Sequence, residues 1–166
     1  MALSQDVTAF VREIIALLAE KHETISTAES LTAGGLSSAL TSVPGSSEVF
    51  LGGITAYQNS VKTAQLGVLA ELINQHSVVS QEVAIAMAQG AKKEFGSTWA
   101  IATTGVAGPD PSEGVEPGTV WVAIVGPINQ SIELSLAGDR DAVRNASVSS
   151  AIATFARILR HRKKEG

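Results

Sequence analysis

The sequence contains no cysteine. That absence excludes thiol nucleophiles, disulfides and cysteine-bound zinc or iron–sulfur centres. Aromatic residues are also scarce, at 4% of 166 residues against 45% for all hydrophobic residues. The core must then be built from Ala, Val, Ile and Leu, a composition suited to helices packed closely on a sheet. No run of about 18 apolar residues occurs, and the N-terminus lacks the basic-then-apolar pattern of a secretory leader. The expectation is a soluble, cytoplasmic protein with no membrane partner. Positive charge is scarce outside one segment. The net charge is −4, yet residues 157–166 carry five basic side chains and one acidic. The rest of the chain is therefore strongly acidic, which argues against nucleic acid as a partner. The basic tail itself reads either as a contact for RNA or an acidic partner, or as a solvated helix end at the negative pole of the helix dipole.

Familiar site motifs are missing as well. There is no Gly-x-x-x-x-Gly-Lys-Ser/Thr phosphate loop and no Gly-x-Gly-x-x-Gly, because Gly105 and Gly108 have the wrong spacing. No Gly-x-Ser-x-Gly elbow occurs, and His22, His76 and His161 sit in no paired ligand spacing. A Ser-His-Asp triad and a metal site are both poorly supported. Asp110, Glu113 and Glu116 read as a solvated acidic loop before they read as metal ligands.

What is present is an alternation of helical and strand patterns. Residues 4–21 place Val7, Phe10, Val11, Ile14, Leu17 and Leu18 at helical spacing. A strand follows at 24–28, then Thr27-Ala-Glu-Ser-Leu-Thr-Ala-Gly-Gly35, then a helix with Leu36, Ala39, Leu40 and Val43 on one side, stopped at Pro44-Gly45. Gly52-Gly53 would weaken a strand interior, so the second strand is expected at 53–57, ending at Tyr57. Asn59 is the expected cap of a helix over 60–67, followed by a helical piece over 69–75 and His76 in a loop. Ser80 caps a helix over 81–95, and Trp99 to Gly105 is a short apolar strand. Residues 109–118 form a Pro- and Gly-rich acidic loop. Residues 119–125 and 131–137 read as a hairpin, and Asp139 opens a final helix to about 162. Five strands interleaved with helices predict one domain, a three-layer α/β/α sandwich with a five-stranded mixed sheet, mostly parallel with one antiparallel strand.

The strand ends carry the candidate chemistry. Ser30 sits where a strand turns into a helix, and its hydroxyl is either an N-cap or a nucleophile. If the first three strands are parallel, Ser30, Tyr57, Lys62 and Thr104 converge at one sheet edge. Lys62 is either a surface lysine or, if burial lowers its pKa, a general base. Tyr57 is either a half-buried strand residue or a proton relay.

Six ordered stretches resemble one family. They are Ala28-Glu29-Ser30-Leu31-Thr32, Pro44-Gly45-Ser46-Ser47, Tyr57-Gln58-Asn59-Ser60-Val61-Lys62, Leu66-Gly67-Val68, Thr104-Gly105-Val106-Ala107-Gly108-Pro109 and Gly138-Asp139-Arg140-Asp141-Ala142-Val143-Arg144. Together they look like the CinA C-terminal domain family, over roughly residues 5–160. The resemblance implies a nicotinamide-nucleotide amidase, which converts nicotinamide mononucleotide and water to nicotinic acid mononucleotide and ammonia without a cofactor or metal. It implies Ser30 as nucleophile, Lys62 as base and Tyr57 as its helper, with Ser47, Thr104 and Arg144 shaping the site. Thr32 and Gly105 belong to the same motifs, Ala33 and Gly34 directly follow the first of them, and all four are expected around the substrate. We expect the amides after Ser30 to face the oxyanion, and Arg144 or helix N-terminal amides to face the phosphate. Glu29 either orients Lys62 or binds the ribose. The family usually has Gly where Ala33 stands, so a positive φ there would strain the chain. Members often form homodimers, and larger ones carry an N-terminal domain that nothing in this sequence resembles. The alternatives are a non-catalytic pyridine-nucleotide or protein-binding module, or a Ser–Lys hydrolase of another amide.

Overall fold

The computed structural model describes residues 3–165. Its elements run α1 (Gln5–Glu20), β1 (Ile25–Glu29), α2 (Gly35–Leu40), β2 (Phe50–Thr55), α3 (Asn59–Leu66), α4 (Ala70–His76), α5 (Gln81–Phe95), β3 (Trp99–Gly105), β4 (Thr119–Val125), β5 (Gln130–Ser135) and α6 (Arg140–Glu165). The sheet order is β2-β1-β3-β4-β5. β1 pairs in parallel with both β2 and β3, while β4 is antiparallel to β3 and to β5. The expected mixed sheet, with three parallel leading strands and a C-terminal hairpin, is therefore the observed one.

Alternation along the strands sorts the core into two layers. Trp99, Ile101, Val120, Val122 and Ile124 face α1, α2 and α6. Ala100, Ala102 and Ala123 face the other way, where Ala84, Met87, Ala88 and Ala91 of α5 meet them. Alanine on both surfaces lets α5 lie close to the sheet, as the aliphatic composition requires. Trp99, one of the few aromatics, packs edge-on against Phe155 with ring centroids 5.2 Å apart. Its Nε1–H donates to Glu23, and Arg162 binds the same carboxylate. Arg160 pairs with Glu13 and Lys163 with Glu20. Three basic side chains of the tail are thus engaged by acidic groups on and just after α1. Among the described residues, no helix is long and apolar enough to cross a membrane.

Several local expectations need correction. β2 covers Phe50–Thr55 with Gly52-Gly53 inside it, and Tyr57 lies beyond its end. The glycines are required by neighbours, not by the strand. A Cβ on Gly53 would stand 2.1 Å from Thr27 Oγ1, and one on Gly52 would stand 2.6 Å from the Phe95 ring. α2 ends at Leu40, short of Val43, which is buried all the same. Asn59 is the first residue of α3, with Gln58 in the cap position. His76 closes α4 and faces the Glu82 carboxylate at 3.6 Å. β5 stops at Ser135, and α6 continues to Glu165. Ser80 and Asp139 do cap their helices, accepting from the amides of Val83 and Ala142.

Candidate functional site

β1 ends at Glu29, and α2 begins at Gly35 after a five-residue link. The chain turns in that space through two left-handed residues, Ala33 at φ 47° and Gly34 at φ 95°. Glu29 is buried and holds the turn. One carboxylate oxygen accepts from the Leu36 amide and the Thr32 hydroxyl, both at 2.7 Å. The other accepts from the Ser37 amide at 3.0 Å and the Ser37 hydroxyl at 2.7 Å. This is the duty of an N-cap, performed by a carboxylate reaching forward from the strand and favoured by the positive pole of the helix. Glu29 therefore makes no hydrogen bond to Lys62, and it does not line the cleft into which Ser30 opens. Thr32 is buried beside it, bonded also to Thr103 Oγ1 at 2.7 Å.

With capping assigned to Glu29, the Ser30 hydroxyl is left to another partner. Its Oγ lies 3.0 Å from Lys62 Nζ. Lys62 stands on α3 and is 1% exposed. Its Nζ also donates to the carbonyls of Ala56 at 2.8 Å and Tyr57 at 3.1 Å. Two of these three partners are anchored by the sheet: the Ser30 amide donates to Thr103 O, and the Ala56 amide to Glu29 O. Burial pushes the Lys62 pKa down from 10.5 to about 8, against an opposing pull from the Glu113 carboxylate. The reason is desolvation: an ammonium deprived of water is disfavoured relative to the amine.

The donor count of this lysine decides what it can do. An ammonium has three N–H groups and here finds three acceptors. A neutral amine has two N–H groups and one lone pair. Carbonyls only accept, so they hold the two N–H groups, and the lone pair is left for the one partner that can donate, the Ser30 O–H. The same geometry thus serves either protonation state.

The pair opens into a cleft of about 470 Å³. Thr104 and Gly105 line it from the end of β3. The Thr104 hydroxyl is turned onto Val78 O at 2.8 Å, so it secures the 77–79 segment. Gly105 is required by the close approach of β4, since a Cβ would meet Thr119 O at 2.7 Å. Tyr57 is 51% exposed at the rim. Its hydroxyl accepts from Arg140 at 3.0 Å, and only its backbone carbonyl meets Lys62.

Other expected residues lie elsewhere. Thr32, Ala33, Gly34 and Arg144 line a second hollow, where Arg144 Nε donates to Leu31 O at 3.0 Å. Ser47 is exposed in a short turn leading into β2, beyond the N-terminal end of the strands. The cleft lies at their C-terminal ends, so Ser47 takes no part in it. Two charged residues of the cleft, Arg140 and Glu113, were not anticipated as site residues. Arg140, the first residue of α6, donates to Gly108 O at 2.8 Å as well as to Tyr57. Its signal was available: it stands inside the last of the six motifs, at a loop-to-helix junction. Glu113 arrives on a turn of the acidic loop, and nothing local announces it.

Comparison with known proteins agrees with this architecture. The family model for the CinA C-terminal domain matches residues 7–159. A CinA-like protein of Prochlorococcus marinus is 52% identical over 122 residues, covering 72% of this chain and 29% of that protein. One from Parasynechococcus marenigrum is 44% identical over 150 residues, covering 88% and 36%. The chain thus spans about a third of the length of these curated relatives. The crystal structure of the competence/damage inducible protein CihA from Agrobacterium tumefaciens superposes with a TM-score of 0.91 at 31% identity, covering 96% of this chain and 99% of that one. The competence damage-inducible protein A from Klebsiella pneumoniae superposes with a TM-score of 0.90 at 30% identity, covering 93% and 98%. By sequence match across nearly its whole length and by fold, the chain belongs to the CinA C-terminal domain family.

Proposed function

We propose that this chain is a nicotinamide-nucleotide amidase, hydrolysing the carboxamide of nicotinamide mononucleotide through a Ser30–Lys62 pair. The observation that carries the reading is the buried amine 3.0 Å from the Ser30 hydroxyl, with its pKa lowered to about 8. A serine needs a base to become a nucleophile, and a desolvated lysine can be that base near neutral pH.

In this mechanism the Lys62 lone pair takes the Ser30 proton as Oγ bonds to the carboxamide carbon. The resulting oxyanion is met by backbone amides that follow Ser30. Lys62, now an ammonium, passes its proton to the leaving nitrogen. The C–N bond breaks and ammonia departs, leaving an acyl ester on Ser30. Water then attacks the ester, Lys62 takes its proton, and Ser30 regains a proton as the carboxylate product leaves. Each cycle returns both groups to their starting state. We assign the substrate phosphate to Arg140, the guanidinium that lines the cleft, in place of Arg144. The Tyr57 ring forms part of the wall.

The test is ammonia release from purified protein with nicotinamide mononucleotide, alongside Ser30→Ala and Lys62→Met. Wild type should release ammonia and both variants should fall at least about a thousandfold, since each removes a unit of one constellation. Near wild-type rates in both folded variants would rule the mechanism out.

A further inference from the structure

The cleft carries one negative side chain whose presence the Ser30–Lys62 chemistry does not require. Glu113 sits at the tip of a tight turn closed by Ser112 N–H to Val115 O at 3.1 Å and Val115 N–H to Ser112 O at 2.9 Å. The two central residues, Glu113 and Gly114, have φ of 50° and 75°. Positive φ at both positions defines a primed turn, which favours Asn, Asp or Gly in its first central place. A Glu there is strained, and local geometry does not repay the strain. The partner side is strained too. Ser77, at φ 71°, donates its hydroxyl to Glu113 Oε2 at 3.3 Å. Two unfavourable backbone positions thus meet to hold one carboxylate at the cleft.

That carboxylate has no ion-pair partner among the described residues, and neither does Arg140. Arg140 gives two of its five N–H groups to neutral oxygens and keeps the others. The charged or titratable side chains of the cleft are Lys62, Glu113, Arg140 and Tyr57. Lys62 is enclosed by its own three acceptors. One anion and one cation are left open to a ligand. Beside them stands the half-exposed ring of Tyr57, whose face attracts cations.

We propose that Glu113 is a specificity residue that selects a positively charged ring bearing the carboxamide, such as a pyridinium, over a neutral ring of the same shape. The inference rests on the amidase reading above and deepens it. The cationic ring nitrogen gains from the carboxylate, while an isosteric neutral ring only desolvates it. The effect of one partly solvent-exposed pair is about fivefold in discrimination.

The test separates this assignment from the parent reading. Hydrolysis is measured for nicotinamide mononucleotide. Binding is measured by calorimetry on the Ser30→Ala protein for that nucleotide and for its benzamide analogue, in which carbon replaces the charged ring nitrogen. The expected result is a preference for the cationic ring that falls about fivefold in Glu113→Gln and further in Glu113→Lys. Glu113→Gln should also lower the pH midpoint of hydrolysis, because a negative charge that favours the Lys62 ammonium is gone. A cation preference identical in all three proteins, with hydrolysis intact, overturns the Glu113 assignment alone. Failure to hydrolyse or bind nicotinamide mononucleotide overturns the amidase reading, and the assignment falls with it.

Discussion

The pH dependence of Lys62 is the most demanding consequence of the structure. With a pKa of about 8, the amine is free in roughly a tenth of molecules at pH 7 and half at pH 8. An ordinary lysine at 10.5 would be free in roughly three of ten thousand at pH 7, so burial raises the supply of base about 300-fold. The value of kcat/KM for ammonia release should therefore climb about tenfold per pH unit below 8 and level off near pH 9. Stability must follow the same group. Below pH 8 the amine is charged in both folded and unfolded chains, and the fold bears the full cost of burying it. Between 8 and 10.5 the folded chain holds fewer protons than the unfolded one, so stability rises with pH. From pH 7 to pH 10 the wild type should gain roughly 2–3 kcal/mol relative to Lys62→Met in urea denaturation. A rate profile that is flat from pH 6.5 to 9, or still rising tenfold per unit at 9.5, refutes the reasoning. So does a stability difference between wild type and Lys62→Met that does not change with pH.

Other expectations follow from the same contacts. Ser30→Ala should abolish ammonia release while its thermal midpoint stays within a few degrees of wild type, because the hydroxyl caps no helix. Glu29→Ala leaves the first turn of α2 without its four-bond acceptor and should cost about 3 kcal/mol in chemical denaturation. Ala33→Gly relieves a left-handed residue and should stabilise by about 1 kcal/mol, which a urea titration resolves. Gly53→Ala should be among the most damaging small substitutions, losing roughly 3 kcal/mol or more as Thr27 and Ser37 are forced apart.

The architecture was legible because its signals are local. Apolar periodicity and the Ser80 and Asp139 caps all act within a few residues. The Ser30–Lys62 approach was legible only as a joint expectation of parallel strand ends. What escaped was tertiary. Gly52 and Gly53 looked like strand breakers because the side chains that exclude a Cβ, Thr27 and Phe95, are remote in sequence. Glu29 looked like a ligand contact because its capping bonds run seven and eight residues forward, outside the usual three-residue spacing. Arg144 and Arg140 stand one helical turn apart, and only the placement of α6 distinguishes them: one lines the second hollow and the other the cleft.

The two oxygens that hold the Lys62 amine belong to the backbone at residues 56 and 57. No replacement of those side chains can delete them, so the lysine's cradle is insulated from ordinary point substitution. It is vulnerable instead to a change in length. One residue added to or removed from the link between β2 and α3 would carry both oxygens away together, and with them the orientation of the amine. Tolerance at these positions should thus be wide for identity and nearly absent for insertion.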